Sequence, residues 1–414
     1  MMSEDIDSRR RTFLKTSAVA VAAGLAGCGG DGGGSGSSGS DGSDGSDGGG
    51  SGGDGSDGDG GSSGDGSDGS TGEDPLLADA SEFEFSNPDW AENNFLVTPL
   101  IDAGYERGKK ADLENMGDRE VDEVPHGSPV QEVEDESEYI DPDTIAFTES
   151  PSEDVQGRYE DDFQEVLDLI EEKTGKTAEF RKVNNYAASV EAMRSERAHV
   201  ANFSTGTTPF AVNLAGAVPF AVGIAGNGAF GYRLFATTRA DAHDIQSVED
   251  FARDDVKVAH SEPASNSGHQ APSALFDQQF DVTPDEDYPV EFSGGHSNTT
   301  RGIAAGDYDA GPICSTCFKD TVEGSSGLSF DDFKVVWASN PFPNGPIAYR
   351  YNLHPDIVES LKEVWLETDW SGTRYAERTD YPEYLPIEYR RHWFDIMVIQ
   401  GYNGVEYTQG ALSE

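Results

Sequence analysis

The sequence predicts an α/β protein of two lobes, with a ligand cleft between them and two hinge strands that join them. Short apolar runs alternate with helical segments from residue 143 onward, which is typical of a parallel sheet covered by helices. The chain leaves the first lobe near residue 238 and returns near residue 340. Lobes connected in this way are expected to open and close by hinge bending.

The charge of the chain restricts its partners. Among 414 residues, 78 are Asp or Glu and only 28 are Lys or Arg, which gives a formal net charge of −50. This excess argues against nucleic acid or an anionic membrane surface as a partner, because they are bound by clusters of cations. An aromatic content of 10% and long apolar runs indicate a folded core rather than disorder. We expect a halophilic protein, since concentrated salt screens this self-repulsion.

Residues 1–28 are predicted to be an export signal. Arg9, Arg10 and Arg11 precede an apolar stretch at 17–26, as in twin-arginine signals, and that stretch is too short for a stable membrane anchor. The stretch ends in a small-residue box before Cys28. The pattern predicts a lipoprotein with a lipid-modified Cys28, although an incidental thiol is the simpler alternative.

Two further segments precede the folded lobes. Residues 29–74 are almost entirely Gly, Ser and Asp, which predicts a flexible linker with a reach of roughly 35–40 Å. Residues 75–140 are acidic, rich in turn formers and poor in periodicity. We interpret them as an irregular N-terminal extension that packs partly onto the lobes.

The first part of lobe 1 is assigned to residues 141–238. It begins with strands and helices in strict alternation, at 144–147, 163–174, 178–183, 186–194 and 200–203. In the first helix the apolar residues Phe163, Val166, Leu167 and Ile170 share one face, and Gly175 ends it. This order predicts parallel strands with helical crossovers.

Lobe 2 is assigned to residues 239–340, and residues 341–414 return to lobe 1 and form C-terminal helices. Lobe 2 repeats the order strand, polar turn, helix: a strand at 256–259 precedes a helix at 271–280, and a strand at 290–292 precedes a helix that ends at 305. Short strands at 308–311 and 333–337 complete the lobe.

The turn Ser265-Asn266-Ser267-Gly268 lies between the strand at 256–259 and the helix at 271–280. Open α/β sheets bind ligands at the carboxyl ends of their strands. Small hydroxyl and amide residues at the start of a helix also present backbone N–H groups to an anion. The turn is therefore predicted to be an anion cradle, with an ordinary solvent loop as the alternative.

Residues 143–350 resemble the periplasmic-type binding proteins of phosphonate, phosphite and phosphate ABC transporters, in the form of a haloarchaeal lipoprotein. Five stretches carry the resemblance: NNYAASVEAM (184–193), GYRLFATTRAD (231–241), EPASNSGHQAP (262–272), SGGHSNTT (293–300) and NPFPNGPIAY (340–349). The resemblance implies a type II-like periplasmic-binding-protein fold without enzymatic activity or cofactor. It also implies a membrane-tethered, monomeric protein that captures a phosphorus oxyanion and delivers it to an ABC permease and its ATPase.

The resemblance also implies which residues bind the ligand. The family's phosphate cradle falls on Ser265, Asn266 and Ser267, where Asn266 replaces a threonine. The cleft tyrosines and histidine fall on Tyr186, Tyr232 and His296.

Some family members hold a ligand ammonium with carboxylates. The matching positions here are uncharged, namely Thr316, the Asn344–Gly345 turn and Ser297. This departure favours phosphate, phosphite or a simple alkylphosphonate over an amino-bearing ligand.

Other residues leave alternatives open. Cys314 and Cys317 are expected to form a local disulfide, because export favours oxidation, although a free pair or a redox pair remains possible. Thr148 and Ser150 either line the cleft or belong to an ordinary β-turn.

Two other functions compete with transport. A metal-binding lipoprotein would use cleft histidines with a carboxylate, and its candidate ligands are His260, Glu262, His269 and His296. Their elements are not expected to bring these side chains together. A phosphatase-like hydrolase would need a nucleophile with an oriented base, for which only Ser267 with His296 is available and no acidic partner is evident.

Overall fold

The computed structural model describes residues 77–78, 89–90, 94–149 and 162–413. All of them belong to the compact unit Asp68–Glu414. The predicted signal with Cys28, the linker and Ser150 lie outside the described residues. Within the described part of the chain, no helix combines the length and apolar character that crossing a bilayer requires.

The described residues form fifteen strands and thirteen α-helices. The strands are β1 Leu77–Ala78, β2 Asn94–Leu96, β3 Gly108–Lys109, β4 Thr144–Glu149, β5 Thr177–Phe180, β6 Val200–Asn202, β7 Ala217–Ile224, β8 Ala229–Phe230, β9 Leu234–Arg239, β10 Ala259–His260, β11 Glu291–Phe292, β12 Ala310–Cys314, β13 Phe333–Ala338, β14 Ile347–Arg350 and β15 Glu383–Pro386. The helices are α1 Val97–Asp102, α2 Lys110–Gly117, α3 Gln164–Thr174, α4 Tyr186–Arg194, α5 Thr208–Ala215, α6 Ala271–Phe280, α7 His296–Ala305, α8 Ser315–Gly324, α9 Pro355–Leu366, α10 Arg374–Thr379, α11 Tyr389–His392, α12 Phe394–Tyr402 and α13 Gln409–Ser413.

An eight-stranded mixed sheet forms the first lobe. Its strands run in the order β3-β8-β7-β14-β6-β4-β5, and β15 also pairs with β7. The pairs β4–β5 and β4–β6 are parallel, so the predicted crossovers are confirmed. Helix α3 buries Val166, Leu167 and Ile170, as the sequence predicts, and ends at Gly175 in the left-handed conformation.

Aromatic side chains build much of the first lobe's core. Phe163 stacks on Phe180 with ring centroids 4.3 Å apart, and Phe147 packs against Trp365 of α9. Full burial of such a side chain contributes about 1.5–3 kcal/mol, which anchors α3 and α9 to the sheet.

A five-stranded sheet in the order β1-β2-β13-β9-β12 forms the second lobe. A separate parallel pair, β10 with β11, lies beside it, and a bridge between Val258 and Ala310 links the two. Helices α6, α7 and α8 follow β10, β11 and β12 in the chain; α8 begins directly after its strand, whereas turns precede α6 and α7.

The chain crosses between the lobes near Tyr232 and Phe342, slightly away from the expected boundaries at residues 238 and 340. Strand β9 pairs with β12 and β13 of the second lobe, so the boundary placed after residue 238 falls inside that lobe. The two crossing strands meet instead in an antiparallel bridge between Tyr232 and Phe342. Gly231 has φ +65°, and a side chain there would overlap the Phe342 carbonyl, so the hinge requires glycine.

The N-terminal extension is more regular than the sequence predicts. Strand β2 pairs with β13 of the second lobe, whereas β3 pairs with β8 of the first. The prediction of an irregular segment is therefore wrong for Asn94–Leu96 and the elements that follow to α2. Its few apolar side chains are nevertheless buried, among them Phe95, Leu100 and Tyr105, but they are too widely spaced among acidic residues to produce a period.

Candidate ligand-binding cleft

A cleft of about 710 Å³ lies between the two lobes. The hinge residue Tyr232 lines it, as do residues that follow β6 of the first lobe and β10 of the second. All six side chains proposed from the sequence line this one cleft, namely Tyr186, Tyr232, Ser265, Asn266, Ser267 and His296.

The cradle is the segment Ser265–Gly268, which leads into α6 and packs against the first lobe. Ser265 is extended, and its Oγ accepts a hydrogen bond from the Gly268 N–H at 3.2 Å. A single wide turn, Asn266–Gln270, then runs directly into α6. The first N–H groups of a helix have no partner within it, so this start can offer backbone donors to an anion.

Gly206 lets the cradle approach the first lobe. A Cβ atom at this position would lie 2.6 Å from the Ala264 carbonyl oxygen and 2.9 Å from the Asn266 nitrogen. Only glycine allows this approach without displacing the Ala264–Asn266 backbone.

Hydrogen bonds fix the protonation of His296. Its Nδ1 accepts from the Cys314 N–H at 3.2 Å and lies 2.7 Å from Ser261 Oγ. A proton on Nδ1 would face the Cys314 N–H, so the tautomer with its proton on Nε2 fits these contacts. Nε2 lies 3.1 Å from Ser265 Oγ and donates to it.

This arrangement determines what Ser265 can do. Its Oγ accepts from both the His296 ring and the Gly268 N–H, so its own hydrogen remains to be donated. Ser265 is 4% exposed and lines the cleft. The hydroxyl hydrogen is thus available for donation within the cleft.

Tyr232 and Asn266 form a second polar pair. Asn266 Nδ2 donates to the Tyr232 hydroxyl at 3.1 Å. Burial raises the pKa of Tyr232, which keeps the phenol protonated, while hydrogen bonds from Thr205, Asn266 and Ser267 oppose the shift. Asn266 Oδ1 is buried without a hydrogen-bond partner among the described residues, so the cradle holds a buried acceptor besides its donors.

Tyr186 begins α4 after the N-cap residue Asn185, and it is half-buried on the first-lobe side of the cleft. Thr148, in contrast, is fully buried and donates to the Arg181 carbonyl at 2.7 Å. It does not line the cleft.

The sequence analysis missed the charged lining of the cleft. Three cations and five carboxylates line it: Arg107, Lys319 and Arg378, with Glu149, Asp320, Glu323, Glu377 and Asp380. Thr316, Asn344 and Gly345 line it too, yet these uncharged positions do not leave it free of carboxylates. Glycine and hydroxyl turns signal the cradle locally, whereas no local pattern marks the charged lining.

The two cysteines lie at the start of α8. Cys314 and Cys317 are paired as a disulfide, and both line the cleft. The link to the cradle comes from the backbone N–H of Cys314, which donates to His296. The sulfur atoms are not required for that contact.

The residues of the two rival functions are arranged differently from the expectation. His260 and His269 do converge, with their Nδ1 atoms 3.0 Å apart, whereas His296 bonds Ser261 and Ser265. Among the described residues, no three His, Cys, Asp or Glu side chains are placed to hold a metal ion. The histidine of the proposed hydrolase pair instead bonds Ser261 and Ser265, while Ser267 interacts with the Tyr232 phenol.

Comparisons with known proteins identify the family and the fold of the chain. The family model described as "ABC transporter, phosphonate, periplasmic substrate-binding protein" matches residues 147–392. The "Phosphate-import protein PhnD" of Mycolicibacterium smegmatis is 28% identical over 241 residues, which are 55% of this chain and 72% of that protein.

Solved structures share the fold. A binding protein of an ABC phosphonate transporter from Pseudomonas aeruginosa superposes with a TM-score of 0.53 at 18% identity, over 64% of this chain and 88% of that one. PhnD1 from Prochlorococcus marinus in complex with methylphosphonate gives 0.51 at 15% identity, over 64% and 99%. These neighbours bear out the predicted two-lobed binding-protein fold. The family match covers more than half of the chain, and the chain therefore belongs to the periplasmic substrate-binding proteins of phosphonate ABC transporters.

Proposed function

We propose that the protein captures phosphate, phosphite or a simple alkylphosphonate and delivers it to an ABC permease. The observation that carries the proposal is the Ser265 hydroxyl, whose two accepted hydrogen bonds leave its hydrogen to donate into the cleft. Ser267, Tyr186, Tyr232 and His296 belong to the same site, which lies at the start of the turn Asn266–Gln270. Short-range donors of this kind bind an anion even in a chain of net charge −50.

Asn266 Oδ1 sharpens the choice of ligand. A buried acceptor without a partner costs about 1–3 kcal/mol, so a ligand that donates to it gains affinity. Phosphate carries a P–OH group in both its monoanion and its dianion, whereas phosphite and methylphosphonate carry one only as monoanions. We therefore rank phosphate first, in agreement with the name of the mycobacterial relative.

The N-terminal residues complete the proposal. A twin-arginine signal would export the chain, and a lipid on Cys28 would hold it at the outer face of the cell membrane. The linker at 29–74 then lets a monomer move between solution and the permease with its ATPase. We expect this to occur in concentrated salt.

Calorimetric titration tests the proposal. The chain with Cys28→Ser is titrated in molar salt with phosphate, phosphite, methylphosphonate and aminoethylphosphonate. We expect phosphate to bind most tightly and Ser265→Ala to weaken it about 10- to 100-fold, because a hydrogen bond to a charged group contributes about 1.5–3 kcal/mol.

Ser273→Ala is the matched control. Ser273 lies in α6, and its hydroxyl donates to the carbonyl of His269 in the preceding turn. It does not line the cleft, so the affinity for phosphate should be unchanged. No heat with any of the four ligands would overturn the proposal. If aminoethylphosphonate bound most tightly, the carboxylates of the charged lining would be the groups that bind its ammonium. The transported ligand would then be an aminophosphonate instead of phosphate.

A test of the tether is independent of the ligand. Expressed in a host with twin-arginine export and lipoprotein processing, the wild-type chain should stay with the cell membrane and carry a lipid mass on its first mature residue. The variant Cys28→Ser should appear in the medium. Membrane retention of that variant would contradict lipid anchoring at Cys28.

A further inference from the structure

The extension places two consecutive residues on opposite lobes. Glu106 faces the second lobe: its carbonyl accepts from Ser315 Oγ at 2.6 Å, and its Oε1 lies 3.1 Å from Lys319 Nζ. Both partners belong to α8. Arg107 faces the first lobe, with its guanidinium 3.1 Å from the carboxylate of Asp380 at the end of α10.

The side chain of Arg107 is largely shielded from solvent, whereas its partner Asp380 is exposed. The Arg107 side chain is 12% exposed, packs over the Tyr381 ring at 5.7 Å, and also donates to the carbonyl of the hinge residue Gly231 at 3.4 Å. Glu106 is 5% exposed. The pair of Glu106 with Lys319 has a buried carboxylate, and such a pair is screened less than a fully exposed one.

We infer that Glu106 and Arg107 are positioning residues that strap the two lobes together in the ligand-binding arrangement. The strap belongs to a segment outside the matched family region, which begins at residue 147. The segment therefore forms a third connection beside the two crossing strands. It acts on ligand affinity through the population of the competent arrangement of the lobes, and in that respect it rests on the proposed function.

Distance measurements in the ligand-free protein test the strap directly. Spin labels are placed on Gly324→Cys, where a side chain meets open space, and on Glu377→Cys, on opposite lobes beside the cleft. The background carries Cys28→Ser, and Cys314 and Cys317 are paired. Electron–electron double resonance of the full chain should show longer and broader distances in Arg107→Ala than in the parent.

A second variant removes the same contact from the other side. Asp380 has φ +64°, which asparagine tolerates, so Asp380→Asn should fold and also lengthen the distances. Arg119→Ala is the matched control, because it breaks an ion pair of the same segment, with Asp395, and Arg119 does not line the cleft. Its distances should equal those of the parent.

Affinity for phosphate separates a strap from a simple charge effect. If Arg107 only attracted the anion, Arg107→Ala would weaken binding and Asp380→Asn would strengthen it. If the two residues act as a strap, both variants should weaken binding. The loss should be about tenfold if the population of the binding-competent arrangement falls tenfold. Unchanged distances in both variants, or opposite effects on affinity, would overturn the strap. Longer distances in both variants than in the parent, together with a parent that binds no phosphate, would preserve the strap and refute the proposed cargo.

Discussion

The cradle and the charged lining face the same cleft but hold their side chains in different ways. Cradle groups are neutral and buried: Ser265, Asn266 and His296 are each 4–5% exposed and joined by hydrogen bonds. The charged lining pairs exposed carboxylates with cations, as in Arg107 with Asp380, whose carboxylate side chain is 66% exposed. Neutral buried donors resist salt, whereas exposed charges are screened by it.

This difference separates binding from closure. An anion in a chain of charge −50 is best held by neutral hydrogen-bond donors, since their strength does not depend on ionic strength. Charges that link the lobes need only shift the equilibrium between the binding-competent arrangement of the lobes and the other arrangements. A contribution of about 1 kcal/mol is sufficient to change these populations. The predictions below perturb one region while leaving the other intact.

Lowering the pH should have the largest effect on the stability of the fold, because buried histidines lie next to the cradle. Burial lowers the pKa of His260 well below its usual value and that of His269 to about 4. Below pH 6.5 the unfolded chain therefore binds protons that the folded chain excludes. Stability from His269 alone should fall by roughly 3 kcal/mol as the pH drops from 6.5 to 4, at about 1.36 kcal/mol per unit.

Chemical denaturation of the parent and His269→Asn at pH 7.5, 5.5 and 4.5 measures this loss. Protonation of the many carboxylates also relieves repulsion at low pH, so the difference between the two proteins is the informative quantity. The variant should lose less stability on acidification than the parent. Parallel pH profiles would mean that His269 does not resist protonation.

Displacing the cradle should have the next largest effect. Gly206→Ala places a methyl group 2.6 Å from the Ala264 carbonyl oxygen, so the backbone of the cradle must shift. We expect a loss of about 1–3 kcal/mol in the free energy of unfolding, as for overpacking elsewhere, together with weaker phosphate binding.

Gly226→Ala is the control, because its new methyl group would meet only Pro382 at 3.7 Å, an ordinary contact. It should retain both stability and affinity, as measured by urea unfolding and calorimetry. Normal phosphate affinity in a folded Gly206→Ala protein would show that the position of the cradle is not critical.

The same two regions show what the sequence can and cannot reveal. The cradle follows from local order, because a strand, the turn Ser265–Gly268 and a helix lie within about twenty residues. Helix α4 begins and ends at the predicted residues, and the helix that follows the cradle does too. Local rules of capping and periodicity suffice for such elements.

The charged lining could not be predicted in this way. Arg107, Lys319 and Asp380 are each more than sixty residues from the others in the chain, and nothing local marks them. The extension also has too few apolar residues to show a period, although it pairs with both sheets. The His260–His269 contact was missed because a wide turn, not a regular helix, turns His269 toward the strand.

Loss of the disulfide should have little effect on the cradle. Cys314 contacts His296 through its backbone N–H, which a serine would also provide. Cys314→Ser and Cys317→Ser should therefore bind phosphate within about threefold of the parent, since less than 0.7 kcal/mol is at stake. Calorimetry under oxidising and reducing conditions checks this, with Ser265→Ala as the variant that does lose affinity. A tenfold loss in both cysteine variants would show that the disulfide itself positions His296.

Salt should have the smallest effect on binding by the folded protein. Three cations against five carboxylates leave the cleft weakly repulsive to an anion. Raising the salt from 1 M, where the Debye length is about 3 Å, can remove only the little repulsion that remains. We expect phosphate affinity to rise less than threefold between 1 and 3 M potassium chloride, provided that circular dichroism shows the same fold. Removing two carboxylates of the lining, with Glu323→Gln and Glu377→Gln, should reduce even this dependence. A steep loss of affinity with salt would instead mean that Arg107, Lys319 or Arg378 binds the anion directly. The conclusion that the neutral cradle holds the anion, and the charged lining does not, would then be wrong.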